Sequence, residues 1–101
     1  MHYYLFEIEP KAIIKAPSAE KAIDCYILHY PEASEIKICQ SISEHKAKAM
    51  ILDILLDKLE VAIFHDTLDE FINKDVLFMQ QDLYSNETKL MLSNVDMKRI
   101  E

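Results

Sequence analysis

The sequence predicts an α+β domain with a mainly antiparallel sheet, and three observations carry that expectation. Short runs rich in Tyr, Ile and Phe alternate in the manner of strands at His2 to Ile8, Lys11 to Ala16 and Glu35 to Ile42. Two longer segments, after Pro17 and after Ser43, carry apolar residues at helical spacing. The 101 residues are 50% hydrophobic, with aromatics spread along the chain, which suits a single compact domain spanning residues 1–101. The expected order is ββαβα followed by a short strand, a small helix and a hairpin, with the two principal helices on one face of the sheet.

The first strand sets Tyr4, Phe6 and Ile8 against Tyr3, Leu5 and Glu7, and Glu9-Pro10 breaks it. Lys11 to Ala16 returns as the second strand, where the adjacent Ile13 and Ile14 point to contact on both faces. Ser18 is the expected N-cap of the first helix, with Glu20 in its electropositive first turn. Ala19, Ala22, Ile23, Tyr26, Ile27 and Tyr30 then follow one helical face until Pro31 ends it. A third strand is expected over Glu35 to Ile42, with Ile36, Ile38 and Ile42 on one side.

Ser41 or Ser43 can cap the second helix, and Ser41 to Glu44 has capping-box spacing. Ala47, Met50, Ile51, Ile54 and Leu55 form its apolar stripe. Leu52, Leu56 and Leu59 widen that stripe, which implies burial against more than one neighbour. Val61 to His65 reads as a short buried strand, and Thr67 to Glu70 has capping-box spacing before a short helix carrying Leu68, Phe71 and Ile72. Val76 to Gln81 and Thr88 to Ser93 can pair as a hairpin. A helix over Val76 to Tyr84 is the rival reading, because Val76, Met79 and Leu83 also fit helical spacing. The tail from Asn94 is expected to fray.

Composition excludes several function classes. Glycine is absent from the chain, against an ordinary usage of about 7%. A P-loop, a dinucleotide-binding fingerprint and a Gly-x-Ser-x-Gly elbow all need glycine where the backbone approaches a ligand or takes positive φ. Any left-handed position would fall to an Asn such as Asn73, Asn86 or Asn94. Cys25 and Cys39 match no metal or redox spacing and are expected to be reduced thiols in a cytoplasmic protein. No membrane-length apolar run and no leader pattern are present, so the mature chain is expected to begin at Met1. No cofactor is expected.

Candidate chemistry is sparse. His2, His29, His45 and His65 include no i, i+4 pair, and each prominent serine sits where a helix cap is wanted. The dipeptide His65-Asp66, with Asp69 nearby, resembles the metal-holding pair of the HD phosphohydrolases. That resemblance implies a metal-dependent phosphohydrolase, but that family sets its ligands on an all-helical scaffold. The competing reading places His65 at a strand end and Asp66 at a helix N-terminus, and the expectation is a protein that is not an enzyme.

Charge is the most informative feature. The formal net charge is −7, and the window Asp53 to Glu87 accounts for all of it. That window sets nine acids against two bases, whereas the other 66 residues balance nine against nine. Direct nucleic-acid binding is not expected, since phosphate contacts need clustered Lys or Arg. An anionic surface either keeps a small domain solvated and soluble or suits a basic protein surface, where complementary potentials steer association. The candidate partner-binding residues are Asp53, Asp57, Glu60, Asp66, Asp69, Glu70 and Asp75. An alternative expectation, from the wide apolar surface over Ala47 to Leu59 and from exposed strand edges, is a structural or regulatory homo-oligomer.

With its glycine-free, arginine-poor composition and its opening segments HYYLFEIEP, KAIIKA and PSAEKAIDCYILHY, the chain resembles the small acidic accessory proteins of phages and mobile elements. Anti-CRISPR and other anti-defence inhibitors are among them. The resemblance implies a stoichiometric inhibitor that occupies a basic, nucleic-acid-binding surface of a partner protein or ribonucleoprotein.

Overall fold

The computed structural model describes residues 1–33, 35, 38–62 and 68–97, except for the side chains of 58–62, 68–73, 75 and 95. Four strands form one antiparallel sheet: β1 (His2–Phe6), β2 (Ala12–Ala16), β3 (Gln40–Ile42) and β4 (Lys89–Leu92). They lie in the order β3-β1-β2-β4. Among the described residues four α-helices accompany them: α1 (Ala19–His29), α2 (Glu44–Ala62), α3 (Leu68–Tyr84) and the single turn α4 (Asn94–Met97). The α+β class is as the sequence predicts, while the order of elements and the layering differ.

Register explains the layering. Tyr3 pairs with Lys15 and Ile42, Leu5 with Ile13, and Ile13 with Leu92, so these side chains share one face. Tyr4 pairs with Ile14 and Phe6 with Ala12, which puts them on the other. Each face builds its own core. Tyr3, Leu5, Ile13, Ile42 and Leu92 pack with Ala47, Ile51 and Ile54 of α2, whereas Tyr4, Phe6, Ala12, Ile14 and Ala16 pack with Ala22 and Tyr26 of α1. The two principal helices therefore lie on opposite faces, not on one. The central strands are apolar at both parities, and each parity needs a cover. Ile13 and Ile14 are both fully buried, worth roughly 1.5–3 kcal/mol apiece in removed apolar surface.

α1 is the helix its sequence describes. Ser18 takes an extended conformation and its side chain accepts the Lys21 N–H at 3.3 Å. Ala22 and Tyr26, one turn apart, face the sheet, and the Tyr26 ring stacks on Phe6 at 4.1 Å between centroids. The Tyr26 hydroxyl donates to the Pro10 carbonyl at 2.6 Å. Tyr30 Oη accepts the Asn94 N–H at 3.1 Å, and Asn94 Oδ1 accepts the Lys11 N–H at 3.0 Å. These bonds tie the end of α1, the β1–β2 turn and the start of α4 together.

Several boundaries are corrected. β1 stops at Phe6, leaving Ile8 exposed, and β3 is confined to Gln40–Ile42, with Ile38 outside it and exposed. Ser43, rather than Ser41, caps α2, accepting the Lys46 N–H at 3.0 Å, because Ser41 is held in β3. Val61 and Ala62 continue α2, so they begin no strand; residues 63–67 lie outside the description, as do Ile36 and Thr67. The small helix and the strand over Val76 to Gln81 are one helix, the 17-residue α3, which bears out the rival helical reading. The segment expected to be its hairpin partner forms β4 and pairs with β2. Asn94 begins α4, whose Met97 is buried in the core, so the tail expected to fray is packed through Met97; residues 98–101 lie outside the described residues. Among the described residues none has positive φ, so the asparagines fill no left-handed position.

Candidate protein-interaction surface

The acidic window Asp53 to Glu87 maps onto the second half of α2, all of α3 and the turn into β4. α2 and α3 form an antiparallel helical hairpin: Lys48, early in α2, lies 6.0 Å over the ring of Tyr84, the last residue of α3. Among the described side chains, the buried contacts of α2 with the sheet come from Ala47, Ile51 and Ile54 in its first three turns. At 1.5 Å per residue α2 is about 28 Å long, whereas five-residue β1 spans about 17 Å. The molecule as a whole has principal extents of 44 × 25 × 21 Å.

The predicted acids are distributed along this arm. Asp53 is exposed on α2, and Asp57 follows one turn later, half-buried. The backbone places Glu60 in the last turn of α2 and Asp69 and Glu70 in the first turn of α3, hence at the same end of the hairpin. Asp75 lies midway along α3, and Asp66 lies outside the described residues, as does its neighbour His65. Two other acids of the window have internal roles. Asp82 is ion-paired with Lys89, and exposed Glu87 adds a favourable charge near Lys15.

Lys15 is the residue that sequence reasoning passes over. It sits in β2, 1% exposed, and its ammonium donates to the carbonyls of Asp82 and Ser85 where α3 ends. A helix terminus leaves carbonyls without partners, and here a strand side chain supplies the donors. Burial pushes the Lys15 pKa down, with the Asp82 carboxylate opposing that shift. The Lys89 ammonium, bound to the Asp82 carboxylate, also lies 5.5 Å from the Phe78 ring centre.

Exposed apolar residues accompany the charge, as the wide α2 stripe suggests. Leu52 and Leu56 on α2 and Leu77, Phe78 and Tyr84 on α3 are exposed. A groove of about 160 Å³ opens between Ile54, Leu55, Phe78, Met79 and the edge-strand residue Met91, with Asp82 and Asp96 at its border. The extra leucines that widen the α2 stripe were the available signal; α3 covers only part of that width.

Among the described residues there is no group of three His, Cys, Asp or Glu side chains placed to hold a metal ion, and no helix long and apolar enough to cross a membrane. Comparisons with protein-family models, curated proteins and solved structures return no match.

Proposed function

We propose that this chain is a non-enzymatic interaction module that uses its anionic helical arm to engage a basic surface on another protein, in the manner of a stoichiometric inhibitor. The observation that carries this reading is the coincidence of charge and structure: all the excess negative charge falls between Asp53 and Glu87, the stretch that forms most of the α2–α3 hairpin. Carboxylates gathered on one hairpin give that side of the molecule a negative potential, and long-range attraction to a cationic groove raises the encounter rate. A groove that ordinarily holds nucleic acid has the required chemistry, because it is lined with Lys and Arg. Occupation by this arm would then compete with nucleic acid for the same surface. The phage-type and anti-defence character belongs to the same proposal.

The test is charge reversal. Replacing Asp53, Asp57, Glu60, Asp69 and Glu70 by Lys, with circular dichroism used to verify the fold, is expected to abolish capture of the partner that the parent chain retains from host extract. The parent's capture should weaken strongly at high salt. Equal capture by parent and variant, in either salt, would contradict the reading.

A further inference from the structure

The arm carries more than charge. Leu52 and Leu56, one turn apart on α2, are 47% and 50% exposed, and Leu77 and Tyr84, two turns apart on α3, are 56% and 71% exposed. The Lys48–Tyr84 contact puts the Tyr84 side of α3 against the side of α2 that continues through Leu52. Since the helices are antiparallel, Leu77 lies level with Leu56. The four residues thus form an apolar strip across the outer side of the hairpin. Asp53 and Asp57, each following one of the two leucines in sequence, flank the strip on α2, and Lys48, paired with Glu44, lies at its Tyr84 end.

We infer that this strip is the docking seat for a basic amphipathic helix of the partner, one whose apolar stripe covers Leu52, Leu56, Leu77 and Tyr84 while flanking Lys or Arg side chains meet Asp53 and Asp57. The inference rests on the proposed function and deepens it by naming the partner's docking element. An apolar centre with a charged rim is the anatomy of a specific interface, in which buried anchors supply most of the affinity and rim charges supply steering. A helix fits because Leu52 and Leu56 repeat at one helical turn, the spacing at which i and i+4 side chains of a docked helix meet them. Charge selects the occupant. A second copy of this chain would bring its own excess of seven negative charges and the same two aspartates to the contact, whereas a Lys- or Arg-flanked stripe neutralises them.

Two synthetic peptides of identical Leu and Lys composition separate the possibilities, one with leucines at i, i+3, i+4 and i+7 and one scrambled so that no stripe forms. Fluorescence anisotropy with the full-length chain is expected to show the patterned peptide binding roughly tenfold or more tightly, the gain of burying two to three half-exposed anchors. Leu52→Ser with Leu56→Ser should erase that difference and leave the salt-sensitive binding common to both peptides. Leu77→Ser, on the other helix, should reproduce the loss, which guards against a folding defect in α2. Equal affinity for the two peptides would overturn the inference while leaving an electrostatic arm intact. Binding of neither, even at low salt, would overturn both. A concentration-dependent dimer in sedimentation, made monomeric by the double serine variant, would assign the strip to a second copy and also overturn it.

Discussion

Tyr26 is buried by its stack on Phe6, and burial, helped by the nearby Tyr30 and Glu9, pushes its phenol pKa above 10.0. Burial does the same to Tyr3, with the Glu44 carboxylate adding to it, and raises the thiols of Cys25 and Cys39 above 9.0. For each of these acids folding favours the neutral form. Their contribution to stability is complete below the ordinary values and is lost as pH rises through the raised ones. Lys15 acts in the opposite sense, because its folded pKa is lowered and its contribution rises with pH up to 10.5. Through these four acids the denaturation midpoint is expected to fall as pH is taken from below 9.0 to above 10.0, and more steeply in Lys15→Met, which lacks the opposing group. Replacing both cysteines by Ala should move the onset of that fall toward the tyrosine range. A midpoint that climbs across the interval would contradict the assignment.

β2 and α3 are bound to each other by one side chain. Lys15 closes the end of α3 from the neighbouring strand, and without it the Asp82 and Ser85 carbonyls lose a buried donor. Lys15→Met keeps the aliphatic stem and removes the donor, so it should cost about 1–3 kcal/mol in chemical denaturation. It should also speed amide exchange in the last turn of α3. Unchanged stability and exchange would show that α3 ends well without it. The same element marks where sequence reading failed. β1, β2 and α1 were legible because Pro10, Pro17 and Pro31 punctuate them and because alternation or helical spacing is clean within each. VLFMQQ, at Val76 to Gln81, has residues that suit a strand and no breaker on either side, and the lysine that caps it lies 67 positions away from Asp82. Local pattern contains no trace of that contact. The opposite-face layering, by contrast, was latent in the Ile13-Ile14 pair, whose two faces each demanded a covering helix. In the candidate surface the acids could be counted from sequence, but Leu52 and Leu56 read as core until α3 was seen to cover only part of the α2 stripe.

Charge and shape together give the protein two unequal parts, a sheet with α1 near electrical balance and an arm that holds the negative excess. Such a division governs how a partner is approached more than how the chain folds. The screening length falls from about 30 Å at 0.01 M salt to about 3 Å at 1 M, so under the proposed function attraction by the hairpin would extend across the encounter distance in dilute salt and vanish in concentrated salt. In the proposed complex the apolar strip, insensitive to screening, would act after contact and set the dissociation rate.

Stopped-flow association of the purified chain with its captured partner, followed across that salt range, tests the electrostatic arm most directly. The association rate constant should fall steeply with ionic strength for the parent chain and become slow and nearly salt-independent when Asp53, Asp57, Glu60, Asp69 and Glu70 are replaced by Lys. A parent rate that stays flat across the range, equal to that of the reversed variant, would contradict it.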